Sequence, residues 1–224
     1  MARIAARPGP AGPRRELFEH VLTPRQDCYL HGMLQRMSGV FIGAFFGTVF
    51  VVANAHEPLS PAIGLALRVL AVLTFAGLVA LALRAGRLDG PEAQDAEPAR
   101  ADWFRGRFAF VVGAEAVLLV GGNLALRAAG APPETAVAWI ALIVGLHFVA
   151  LMAVWKQRSI AVPGVALTAL GVTGLGMAGT SAVAWVPFVS GVLSGVALLG
   201  GCAYAIAGTY RSAVRSGRRL PDAQ

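Results

Sequence analysis

Charge is scarce in this chain, and lysine is nearly missing. Charged residues make up 14% of the 224, and Lys156 is the single lysine. An ordinary soluble domain carries about 25% charged residues. With 56% hydrophobic residues beside that scarcity, a freely soluble domain is excluded. Cysteine is almost as rare. Cys28 and Cys202 are the only two, too far apart for a redox or zinc motif, and too few for a disulfide framework. There is no His-x-x-x-His pair and no Gly-rich phosphate loop, so no catalytic residue, metal or cofactor is expected. No ten-residue stretch alternates with period two, which excludes a membrane barrel. The basic termini hold no interleaved stacking aromatics, so a net charge of +7 and a pI near 10.7 do not point to RNA or DNA.

What the chain does have is long apolar runs. They lie at Met37–Ala55, Ala62–Leu83, Phe108–Leu126, Ala136–Trp155, Ile160–Ala178 and Ala182–Tyr210. About 20 such residues cross a bilayer as a helix. Lipid offers no partner for backbone N–H and C=O groups, so each run must be helical. The expected fold is all-α, a polytopic membrane bundle of six transmembrane helices.

Seventeen of the nineteen Lys and Arg residues occupy alternate gaps between these runs. Arg3, Arg7, Arg14, Arg15, Arg25 and Arg36 precede the first. Arg84, Arg87, Arg100, Arg105 and Arg107 separate the second from the third. Lys156 and Arg158 separate the fourth from the fifth, and Arg211, Arg215, Arg218 and Arg219 follow the sixth. The opposite gaps hold only Arg127, while Arg68 lies inside a run. The positive-inside rule then puts both termini in the cytoplasm. The anionic inner leaflet becomes the expected partner of the basic flanks. Heavy Ala, Arg and Gly usage fits a bacterial plasma membrane.

The chain divides into a cytoplasmic segment 1–36, a transmembrane domain 37–210 and a basic tail 211–224. Within the first, Leu17, Phe18, Val21 and Leu22 would line a short interfacial helix. Thr23-Pro24 reads as a helix N-cap followed by Pro at the first helical position. No small-residue cleavage site follows the first run, so it is expected to be retained. Residues 85–106, with Pro91, Pro98 and mixed charge, read as a solvated cytoplasmic linker. The opposite loops are short, which excludes a large domain outside.

Gly39, Gly43 and Gly47 recur every four residues in the first run, as do Gly191 and Gly195 in the last. Such spacing lets helix backbones approach closely. The stripes serve packing within one bundle or the seam of a homodimer.

Three ionisable residues fall within the runs: Arg68, Glu115 and His147. Such groups are costly in lipid and face a bundle interior or a water cavity. The short loop centred near Ala131 makes the third and fourth helices antiparallel neighbours. Glu115 precedes that centre by sixteen residues and His147 follows it by sixteen, so both reach one depth, roughly 12 Å from the cytoplasmic edge. A carboxylate alone in low dielectric takes up a proton, and a lone imidazole stays neutral. Side by side they can share one proton, which offsets part of the desolvation. The pair suits a proton relay, a cation site or an acid/base dyad. It equally suits a hydrogen bond that locks two helices.

Arg68 and Asn123 define a second polar layer roughly 24 Å from the cytoplasmic edge, as a gate, an anion vestibule or a snorkelling arginine. Thr48, Thr168, Thr173, Ser190 and Ser194 could add hydroxyls to a polar path, though such groups often bond their own backbone. Ser194 and His147 differ in depth by roughly 9 Å, too far for a nucleophile–base dyad. Lys156 lies at a helix exit, too near water for a buried Schiff base. The cluster Glu16, His20, Asp27 and His31 reads as a solvated helix face before a metal site.

Val144-Gly145-Leu146-His147-Phe148, with Leu151 after it, resembles the most distinctive element of a group of small bacterial multi-pass proteins. Ala150 stands where that group has proline. The resemblance implies a conserved domain of unknown function and adds emphasis to His147. Three functional expectations stand together: a small transporter or channel using Glu115 and His147, a non-catalytic membrane scaffold or regulator, and a membrane-embedded lipid-modifying enzyme.

Overall fold

The computed structural model describes residues 39–85, 101–155 and 161–215. Every regular element among them is helical. Helix α1 covers Gly39–Asn54, α2 Pro61–Ala85 and α3 Ala101–Ala128. Then come α4 at Thr135–Trp155, α5 at Ala161–Met177 and α6 at Leu193–Arg215. Pro61–Ala85, Thr135–Met152 and Val183–Ser212 are long and apolar enough to cross a membrane, whereas Gly39–Asn54 and Ala161–Met177 are apolar but shorter. The outward faces are apolar too, with Phe110 77% and Val117 72% exposed. Such a surface suits lipid far better than water.

Two boundaries differ from the sequence reading. Helix α3 starts at Ala101, inside the stretch assigned to the linker, because nothing after Pro98 opposes helix formation. The last apolar run is not one continuous α-helix. It opens with a 3-10 turn at Val183–Trp185 and a π-helical turn at Pro187–Val192. Pro187 has no N–H to contribute to a regular ladder, and the wider turn carries the bond from the Leu193 N–H to the Phe188 carbonyl. The interfacial helix expected near Leu17, the acid–histidine cluster, Cys28 and Lys156 lie outside the described residues.

Two seams organise the bundle. At the first, α1 meets α6. A Cβ at Gly47 would lie 3.0 Å from the Gly195 carbonyl, and one at Gly43 would lie 2.9 Å from Cys202 Sγ. Gly195 in turn faces Gly47 and Val51, and Gly191 faces the Asn54 side chain. Helix α2 packs on the same side through Ala71, Leu78 and Ala82, and the Tyr210 hydroxyl reaches the Leu81 carbonyl at 3.3 Å. At the second seam α4 lies against α5, glycine against backbone. Gly145 meets Thr168, Gly171 meets Leu142, and Gly174 meets Ser190 and Ala138. Phe50, Ala141, Leu167 and Leu198 join the two seams into one interior.

Helix α3 stands at the edge. Gly130, in the left-handed region at φ 71°, closes it, and the Ala131 N–H returns to the Leu126 carbonyl at 3.0 Å. That tight closure turns the chain back, so α4 runs antiparallel along α3. Of the helices from α2 onward, only α4 shares an extended face with it.

Candidate functional site

The site lies on the α3–α4 seam. Trp139, Ile143, His147 and Leu151 repeat every four residues on α4 and so share one stripe. Ile143 and Leu151 are buried one turn on either side of His147. Glu115 stands opposite on α3, its Oε2 3.0 Å from His147 Nδ1. The side chains retain 19% and 13% of their exposure, which places both groups in a poorly hydrated seam. Nδ1 has no partner that meets hydrogen-bond geometry, so this is a close approach of carboxylate and imidazole and not an aligned hydrogen bond.

A second contact holds the same seam nearer the α3–α4 turn. The Trp139 indole N–H donates to the Leu118 carbonyl at 2.9 Å, and the ring lies flat where Gly122 has no side chain. Glu115, Leu118 and Gly122 are spaced by three and four on α3, the spacing of one helical face. These contacts establish the rotational facing of α3 and α4, which depth alone left open.

The second polar layer does not assemble. Asn123 donates its amide to the Leu119 carbonyl of its own helix at 2.8 Å. Arg68 Nε, on α2, is buried without a partner among the described residues, and α2 shares no extended face with α3. The hydroxyls also stay local. Thr48, Thr168 and Thr173 each bond the carbonyl four residues back at 2.8 Å. Of this set Ser190 alone crosses a seam, donating to the Leu170 carbonyl on α5 at 2.8 Å. Ser194 is fully buried with its hydroxyl unpartnered, so it makes no dyad with His147. Among the glycines of the two stripes, Gly39 has nothing near it, whereas the other four lie where α1 meets α6 and the π-helical turn before it, within one chain.

Sequence reasoning missed three features. Counting outward from Ala131, as for Glu115 and His147, pairs Gly122 with a position next to Trp139, so that signal was present. The glycines of the α4–α5 seam carry a weaker one, since Gly164 and Gly171 are two turns apart on α5. The interhelical bond of Ser190 depends on the π-helical turn and had no pattern to betray it.

Chemically, the seam offers one carboxylate and one imidazole. Among the described residues no three His, Cys, Asp or Glu side chains gather as a metal site would need. No family model, curated protein or solved structure matches the chain.

Proposed function

We propose that this chain is a six-span bacterial plasma-membrane protein, with both ends cytoplasmic, that moves protons, cations or a compact solute. Glu115 and His147 are its protonatable site. The observation that carries the reading is their 3.0 Å contact, poorly aligned and largely withdrawn from water, between two apolar helices. A proton held between a carboxylate and an imidazole passes from one to the other over a short distance, and imperfect alignment keeps the pair from settling as a strong fixed bond. Ionisable groups of this kind within membrane helices mark proton and ion pathways. The Val144-Gly145-Leu146-His147-Phe148 segment serves twice, since Gly145 faces α5 while His147 faces α3.

A second reading, a membrane scaffold with the pair as a structural lock, draws on the position of α3. That helix leans on α4, and the ion pair and the Trp139 bond fasten the same seam.

The test is flux. Purified protein in liposomes, with internal pH recorded under an imposed proton gradient and other cations tried in turn, is compared with Glu115→Gln. Flux in the wild type and none in the variant supports a transport site. No flux from well-folded protein with any cation transfers the pair to the lock reading.

A further inference from the structure

The α3–α4 surface carries a feature that the proposed transport site does not use. A shallow groove open to the side of the bundle is lined by Leu119, Val120, Asn123, Leu124 and Arg127 of α3 and Ile140 of α4. Its walls are hydrocarbon. The Asn123 amide N–H₂ is turned to the Leu119 carbonyl, so the one polar wall residue is occupied within its own helix. The single charge stands at one end, where Arg127 lies in the last turn of α3. No carboxylate or carbonyl among the described residues takes its guanidinium, and Glu134 in the adjoining loop forms no ion pair with it.

We propose that this groove holds one anionic phospholipid, with its phosphate on Arg127 and an acyl chain along Leu119, Val120, Leu124 and Ile140. Four arguments select that occupant. A guanidinium presents paired N–H donors that match two phosphate oxygens, and here nothing among the described residues engages it. The groove opens sideways, toward the apolar surface of α3, and so admits a molecule from the bilayer. From Arg127 to Leu119 is about 12 Å along the helix, close to the depth of one leaflet of a roughly 30 Å hydrocarbon core. An apolar slot with a cation at one end matches a lipid with an anion at one end, whereas a second copy of α3 would bring another Arg127 or bare hydrocarbon. The inference requires that the helices lie in a membrane and does not depend on flux through Glu115 and His147.

Trp139 sits beside Ile140 against Gly122, which makes it a reporter for the groove. The full chain with Trp103, Trp155 and Trp185 replaced by Phe is placed in phosphatidylcholine vesicles. These contain matched fractions of brominated phosphatidylglycerol or brominated phosphatidylcholine, and quenching of Trp139 is read. The expected result is an apparent affinity about fivefold higher for the anionic lipid, the effect of one basic contact at the membrane surface. That preference disappears in Arg127→Gln and persists in Arg127→Lys. Equal quenching by both lipids overturns the proposal, as does a preference that survives Arg127→Gln. Protection of Trp139 from both lipids overturns it as well, because another chain then covers the groove. Native mass spectrometry of the chain with all four tryptophans tests the same point without the Phe substitutions. Retained phosphatidylglycerol must fall by one molecule in Arg127→Gln, and an unchanged count sinks the proposal.

Discussion

The Trp139 indole donates to the Leu118 carbonyl across the α3–α4 seam at 2.9 Å, and its ring fills the space left by Gly122. One glycine and one indole thus set how closely α3 approaches the helix that carries His147. Gly122→Leu should push the ring aside, break the bond and lower stability by about 1–3 kcal/mol, the usual range for overpacking. Trp139→Phe loses the N–H donor, about 0.6 kcal/mol in a membrane setting, and also the part of the indole packed on Gly122, which adds a cavity cost. Unfolding in mixed detergent measures both, and no loss from either change would show that the seam is not held this way.

Removing one charge from the Glu115–His147 pair separates its two readings. As a transport site, Glu115→Gln should abolish flux and stay within about 0.5 kcal/mol of wild type, roughly 2 °C in detergent melting temperature. As a lock, the same change leaves an unpaired imidazole in the seam and melting falls by several degrees. Melting curves and liposome flux on the same preparations decide between them.

The Ser194 hydroxyl is fully buried and has no partner among the described residues. Removing an unsatisfied buried polar group is neutral or stabilising, so Ser194→Ala should hold or raise stability by up to about 1 kcal/mol. Ser190→Ala should instead lose about 1 kcal/mol, because that hydroxyl bonds the Leu170 carbonyl across the α5 contact. A loss of more than about 1 kcal/mol in Ser194→Ala would mean that the hydroxyl is engaged after all.

Glycines of the same stripe should respond oppositely to one methyl group. A Cβ at Gly39 meets nothing within 4 Å, so Gly39→Ala should gain several tenths of a kcal/mol from helix propensity. At Gly47 the added carbon presses on the Gly195 carbonyl and Leu199, and at Gly145 on Thr168, so Ala there should cost about 1–3 kcal/mol. Thermal unfolding of the three variants ranks them, and any order that puts Gly39→Ala last contradicts the packing described.

Parts of this architecture were legible because they follow from one-dimensional rules. Runs of twenty apolar residues with isolated charges can satisfy their backbones only as helices, and every described element is one. Depth along a helix is also linear in residue number, which is why Glu115 and His147 could be matched by counting from Ala131. The same linearity misled for Arg68 and Asn123, since equal depth says nothing about which helices adjoin. The glycine stripes were visible, and Gly195 does meet the Gly47 backbone, yet equally close approaches at Gly145 and Gly171 went unread, because both partners of a contact must offer a small surface at one height.

The sequence by itself determined the helical class, the three helices long enough to cross a membrane, and the shared depth of one carboxylate and one imidazole. The tertiary structure alone decided which faces meet. It turned Glu115 toward His147, left Arg68 Nε without a hydrogen-bond partner among the described residues, and opened the last apolar run with a π-helical turn at Pro187–Val192. The physical reason is that depth and helicity arise from each segment's own backbone and solvent preference. Rotation and neighbourhood arise from packing, which depends on every helix at once.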